Sequence, residues 1–135
     1  MSNLIFKKLY LSISLNRFSV KILVVVNESL LLKTIELELL EQGYQVVATM
    51  DAQQAIHFLD TEKPDLVICN LMLSNVNDFQ MLSSSKDITR KTPVIVLSQL
   101  DQQANKDFAG SFGSDAYLTI PFEMIDLSNM ARSLL

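Results

Sequence analysis

The chain has 135 residues, 49% of them apolar, and a mean hydropathy of +0.26, which suits one domain with a sizeable core. Three glycines, three prolines and one cysteine exclude a long low-complexity linker and a disulfide framework, and the lone thiol fits a reducing compartment. The net charge of −4 is uneven: residues 1–20 carry Lys7, Lys8 and Arg17 and no acid, and the other 115 carry 8 basic and 15 acidic residues, hence −7.

A body at −7 is a poor electrostatic match for nucleic acid, where counterion release by Lys and Arg dominates affinity. Direct nucleic-acid binding is not expected. No apolar run approaches the roughly 18 residues of a membrane span. The expectation is a cytoplasmic protein that neither crosses nor needs a membrane.

Residues 1–20 form an N-terminal extension unlike the rest. Leu9, Leu11, Ile13 and Leu15 alternate with Tyr10, Ser12, Ser14 and Asn16, a period of two that suits an added edge strand. A signal peptide is a rival reading, because Lys7 and Lys8 precede an apolar stretch, but serines break it and no small-x-small site follows. A disordered leader, or a misplaced start, is a third. These alternatives stay open.

The run from Lys21 to Val26 is β-branched and reads as a buried strand. Asn27-Glu28-Ser29 supplies a turn and N-cap, and Leu30 to Gln42 reads as a helix stopped by Gly43. Leu31, Leu32, Ile35 and Leu39 share its inward face. Leu30, Leu37 and Leu40 fall on another side, where flank packing is the simpler expectation and a partner-binding stripe the sharper one.

Gln45 to Thr49 is a short strand. Asp51 can cap a helix through about Thr61, with Ala52, Ala55, Ile56 and Leu59 inward. His57, the single histidine, is expected on that helix's exposed side, with no second ligand or base near it in sequence.

Pro64-Asp65-Leu66-Val67-Ile68-Cys69-Asn70-Leu71-Met72-Leu73 is a short unalternating run opened by a proline turn. It predicts a central strand buried on both faces. Asn70 is its one amide, at the carboxyl end, where open α/β sheets bind ligands. A weak helix over about Phe79 to Asp87, a strand over Thr92 to Ser98, a short helix face at Ala104, Phe108, Ala109 and Phe112, and a strand over Asp115 to Ile120 follow. Pro121 ends that strand, and Glu123 to Leu135 closes the chain as a helix with Ile125, Met130 and Leu134 available to pack. Five β-α units in succession imply a doubly wound (βα)5 parallel sheet of order 2-1-3-4-5.

Residues 21–135 resemble the receiver domain of two-component response regulators, a flavodoxin-like fold. The resemblance is carried by Lys21 to Val25, Gly43 to Val47, Lys63 to Ile68, Leu71 to Leu73, Thr92 to Ser98, Gly113 to Leu118 and Pro121-Phe122-Glu123. In the family, an aspartate ending the third strand accepts a phosphoryl group from a histidine kinase. Two acids after the first strand hold Mg²⁺. A Ser or Thr ending the fourth strand and a Lys ending the fifth bind the phosphoryl oxygens. This chemistry needs a carboxylate nucleophile, hard oxygen ligands and a cation for the developing charge.

The resemblance places Asn70 at the phosphoacceptor position, Val26 and Asn27 at the metal-acid positions with Glu28 nearby, and Ile120 at the lysine position. Ser98 alone keeps its family type in the catalytic set, and Tyr117 keeps the aromatic switch position. An amide cannot form an acyl phosphate. A lysine kept without its acids would leave an unpaired charge; here acids and cation are absent together. The expectation is a degenerate, non-enzymatic pseudo-receiver with no cofactor and no metal, acting through a signalling partner or a second copy. In the family the docking surface is the face made by the fourth helix, the fifth strand and the fifth helix, here parts of Gln102 to Phe112, Tyr117 and Glu123 to Leu135. The alternatives are an active receiver that uses Asp78 or Glu28, and a small-ligand sensor in the pocket near Val26, Asn70, Ser98 and Ile120. For Cys69 the expectation is a small buried hydrophobe.

Overall fold

The computed structural model describes residues 20–71, 92–98 and 116–135. The readings made above for residues 1–19, for the helices expected near 79–87 and 104–112, and for Asp78 lie outside the described residues. In chain order the elements are β1 (Lys21–Val25), α1 (Ser29–Glu41), β2 (Gln45–Thr49), α2 (Ala52–Thr61), β3 (Leu66–Leu71), β4 (Val94–Ser98), β5 (Ala116–Thr119) and α3 (Met124–Leu134). The five strands form one parallel sheet ordered β2-β1-β3-β4-β5, the doubly wound, flavodoxin-like order.

β1, β3 and β4 occupy the middle of the sheet, and their β-branched runs are buried on both faces. Side chains alternate across a strand, so β1 splits into two sets. Ile22, Val24 and Val26 join Ile35 and Leu39 of α1 and Leu127 and Ala131 of α3 in one cluster. Leu23 and Val25 join Ala55 of α2, Val67, Cys69 and Val96 in the other. α1 and α3 therefore cover one face and α2 the opposite one.

α1 begins where Glu28, in extended conformation, turns its carboxylate onto the amides of Leu30 and Leu31. That satisfies two of the amides a helix leaves orphaned at its start. The helix stops at Gly43, whose φ of 92° suits a residue without a Cβ. Ile35 and Leu39 are buried, and Leu31 and Leu32 pack partly buried beside them. Asp51 caps α2 through Gln53 N, and His57 is exposed on that helix, as expected.

Two expectations need correction. Leu30, Leu37 and Leu40 do not pack on a flank: they are 73%, 51% and 48% exposed. At 100° per residue their direction lies nearly opposite that of Ile35 and Leu39, so the helix points them away from the sheet. In α3, Met130 and Leu134 do pack against the first cluster, but Ile125 is 60% exposed. Leu127 and Ala131, four residues apart, fix the buried face, and a residue two positions from Leu127 falls on the far side.

Candidate functional site at the carboxyl edge of the sheet

Parallel strands end on one side, so the registers decide which residues meet there. Val25 lies opposite Thr49 of β2 and Cys69 of β3. Leu71 lies opposite Ser98, and Ser98 opposite Thr119. One residue beyond β1, the Val26 amide donates to the Thr49 carbonyl at 3.1 Å. One residue beyond β5, the Ile120 amide donates to the Ser98 carbonyl at 2.8 Å. The edge thus carries Val26, Asn27, Asn70, Ser98 and Ile120, contributed by four strands.

The apolar members are part of the core. Val26 is fully buried within the first cluster, and Ile120, partly buried, packs against that same cluster. Their side chains extend the interior to the rim of the sheet. A carboxylate at Val26 or an ammonium at Ile120 would have to be desolvated there, which costs several kcal/mol per ion.

The polar members are neutral. Asn27 and Asn70 are each partly exposed, yet the Oδ1 atom of each is buried and has no hydrogen-bond partner among the described residues. Each such acceptor carries a desolvation penalty of about 1–3 kcal/mol. Ser98 is buried. Among the described residues no group of three His, Cys, Asp or Glu is placed to hold a metal ion. Amide and hydroxyl oxygens remain, without the carboxylates that a divalent hard cation usually requires.

Glu28, an acid beside this edge, is engaged otherwise. Its Oε1 accepts from Leu30 N at 3.0 Å and its Oε2 from Leu31 N at 2.7 Å. Both oxygens serve the start of α1. Tyr117 is not gathered with the edge residues: it packs, partly buried, against the second cluster and lies opposite Val96. Cys69 sits beside Asn70 with its Sγ directed to the Asn70 carbonyl at 3.7 Å, and burial pushes its thiol up to about 12. The small-hydrophobe reading fits that environment.

Thr49 was not singled out in the sequence. It is buried at the same edge, its hydroxyl donates to Gln54 Oε1, and it accepts from Asp51 N at 3.1 Å. The available signal was a polar residue at the carboxyl end of a strand, the kind of signal that picked out Asn70.

Among known proteins, the family model described as response regulator receiver domain matches residues 22–132. The chain is 32% identical to the alkaline phosphatase synthesis transcriptional regulatory protein SphR of Synechococcus elongatus, with 85% of this chain and 48% of the relative covered. It is 27% identical to the alkaline phosphatase synthesis transcriptional regulatory protein PhoP of Bacillus subtilis, with the same coverage. The chain therefore spans about half the length of these curated relatives. Among solved structures, the receiver domain of the Francisella response regulator 1452 superposes with a TM-score of 0.74 at 27% identity, over 86% of this chain and 96% of that one. Chemotaxis protein CheY4 of Vibrio cholerae superposes with a TM-score of 0.77 over 86% of this chain and 98% of that one. At 19% identity the second likeness bears on the fold alone.

Proposed function

This chain belongs to the response regulator receiver domain family, and from that premise we propose that it is a pseudo-receiver. In this reading residues 21–135 are a non-enzymatic signalling unit that acts by protein contact without being phosphorylated. It keeps the receiver scaffold of two-component signalling and has given up phosphoryl chemistry.

The observation that carries the reading is the common burial of Val26 and Ile120 in one apolar cluster. The two positions at which the resemblance expects a metal acid and a lysine are filled by core. With Asn70 at the acceptor position, the described residues of the edge offer neither a nucleophilic carboxylate nor a cation for the developing charge. The use of both Glu28 oxygens as a helix cap weighs against Glu28 as a substitute ligand. Any switching would then come from a partner that prefers one of two states. The partner is a signalling protein or a second copy, at the surface that includes Tyr117 and α3, where Ile125 is exposed. Nucleic acid and membrane are not partners in this reading, and the compartment is the cytoplasm.

Amide NMR during titration with Mg²⁺ and then with beryllofluoride tests it. The expected result is no site-specific shift at Val26, Asn27, Asn70, Ser98 or Ile120. Saturable shifts there would overturn the reading and return Glu28 or Asp78 as site residues.

A second reading is favoured by the two buried, unpartnered amide oxygens of Asn27 and Asn70. They suit a small neutral ligand that donates N–H or O–H groups and is otherwise apolar, as Val26 and Ile120 require. A ligand of that kind would slow Cys69 modification in partly denatured protein and shift the Asn27 and Asn70 side-chain amides.

A further inference from the structure

α1 points Leu30, Lys33, Leu37 and Leu40 away from the sheet in one line, and all four are exposed. Their spacing is three, four and three residues, which at 100° per residue keeps them within about 80° of arc. That is the a and d pattern of a coiled-coil seam, run over two heptads. The positions flanking such a seam are Ser29 and Glu36 on one side and Thr34 and Glu41 on the other. A helix laid on a sheet needs one apolar stripe, and α1 already has it in Leu31, Leu32, Ile35 and Leu39. The outward stripe is surplus to this fold.

Charge decides between a foreign partner and a second copy. Glu28, Glu36, Glu38 and Glu41 against Lys33 would by count call for a basic partner. Two of these acids are spent elsewhere: both Glu28 oxygens hold the start of the helix, and Glu38 accepts from Gln42 Nε2 at 2.9 Å. The seam itself keeps Lys33 against Glu36 and Glu41 and is close to neutral.

Such a seam matches its own copy when the two helices run antiparallel. Leu30 then lies over the partner's Leu40, and Lys33 over the partner's Leu37. Flanking positions of one kind face each other in that arrangement, so Glu36 meets the partner's Ser29 and Glu41 the partner's Thr34. No acid faces an acid. Lys33 enters a hole bordered by the partner's Glu36, so the Lys33–Glu36 pair, 3.1 Å apart within one helix, meets its copy with opposite charges crossed. A parallel pair would set Lys33 on the partner's Lys33 and Glu36 beside the partner's Glu41, which is repulsive.

Area sets the strength. The three leucines, the Lys33 stem and the flanks offer roughly 500 Å² per partner, against about 800 Å² in a stable interface. The association is therefore weak and depends on concentration.

We propose that α1 is a self-association surface, along which two copies of this chain pair antiparallel through Leu30, Lys33, Leu37 and Leu40. It is a different surface from the one that includes Tyr117 and α3. It does not depend on whether the domain is phosphorylated, so its failure leaves the pseudo-receiver reading, which rests on Val26 and Ile120, as it stands.

The test is sedimentation and methyl NMR of the full chain, concentrated in steps to about 1 mM. The expected result is a mass that rises toward the dimer, with shifts that follow it at Leu30, Lys33, Leu37 and Leu40. Leu30 and Leu40 stand about 15 Å apart along one helix, so a nuclear Overhauser contact between their methyls reports two antiparallel copies. Leu37→Lys should weaken association about tenfold or more. Leu37 is exposed, so this change leaves the fold intact, and unchanged amide shifts in β1 and β3 check that. Lys33→Glu and Glu36→Lys chains should each stay monomeric alone and pair when mixed. A monomer at every concentration would overturn the proposal. So would a dimer that survives Leu37→Lys, one whose shifts map to Tyr117 and Ile125, or one without the Leu30–Leu40 contact.

Discussion

The amide of Ile120 donates to the carbonyl of Ser98 at 2.8 Å, so the residues that end β4 and β5 are held side by side at the carboxyl edge of the sheet. That backbone bond is indifferent to the side chain at position 120. The backbone holds position 120 at the edge whatever its side chain, and the isoleucine it carries packs, partly buried, against the first apolar cluster.

Placing a cation alone at position 120 should therefore harm the fold. Ile120→Lys removes partly buried apolar surface and adds a charge with no acid cluster to meet it, and should lower stability by about 2 kcal/mol in urea denaturation. Adding Val26→Asp and Asn70→Asp to the same chain should return part of that loss and bring Mg²⁺ binding, because neighbouring charges couple non-additively. A triple variant with neither effect would show that more than these positions separates this edge from a working one.

Asn70 gives a test of opposite sign. Its Oδ1 is buried without a partner among the described residues. Asn70→Leu keeps the approximate volume and removes the orphaned acceptor, so the urea midpoint should stay level or rise, with a gain of up to about 1–3 kcal/mol. A clear loss would mean that the amide has a partner or a ligand in solution.

Glu28 separates two roles. As the cap of α1 it bonds two amides, and Glu28→Ala should cost about 1 kcal/mol of stability. Glu28→Gln keeps an acceptor oxygen but loses the charge at the helix start, and should cost about 0.3–1 kcal/mol. Neither should alter the response to Mg²⁺ if Glu28 serves only the helix.

Cys69 sets a limit at high pH. Burial raises its thiol from 9.0 to about 12. Between these values the unfolded chain has released the proton and the folded one keeps it, so stability is full below pH 9 and falls toward pH 12, by at most about 1.4 kcal/mol per pH unit. Cys69→Ala should flatten that decline in pH-dependent unfolding. At neutral pH a thiol reagent should label the wild type only as fast as the sheet opens.

Much of the fold was legible because burial imposes periodicity. The unalternating runs at Ile22 to Val26, Leu66 to Cys69 and Ile95 to Leu97 are the strands with both faces covered. The inward leucines of α1 follow its helical spacing. Ile125 was misplaced because α3 has apolar residues on more than one side, and only its contacts with the sheet choose among them.

The sequence by itself determined which chemical groups stand at the strand ends, since residue type and position along a strand need no partner to be known: valine, asparagine, serine and isoleucine, with no acid triad. It also determined the sheet order, because right-handed crossovers leave few ways to wind five β-α units. The tertiary structure alone decided what those groups do. Val26 and Ile120 stand 94 positions apart in the chain, and only the sheet puts them in one cluster. Only the turn after β1 gives both Glu28 oxygens to the helix. Burial and unmet hydrogen bonds are properties of neighbours, and those neighbours come from distant strands whose registers no local pattern encodes.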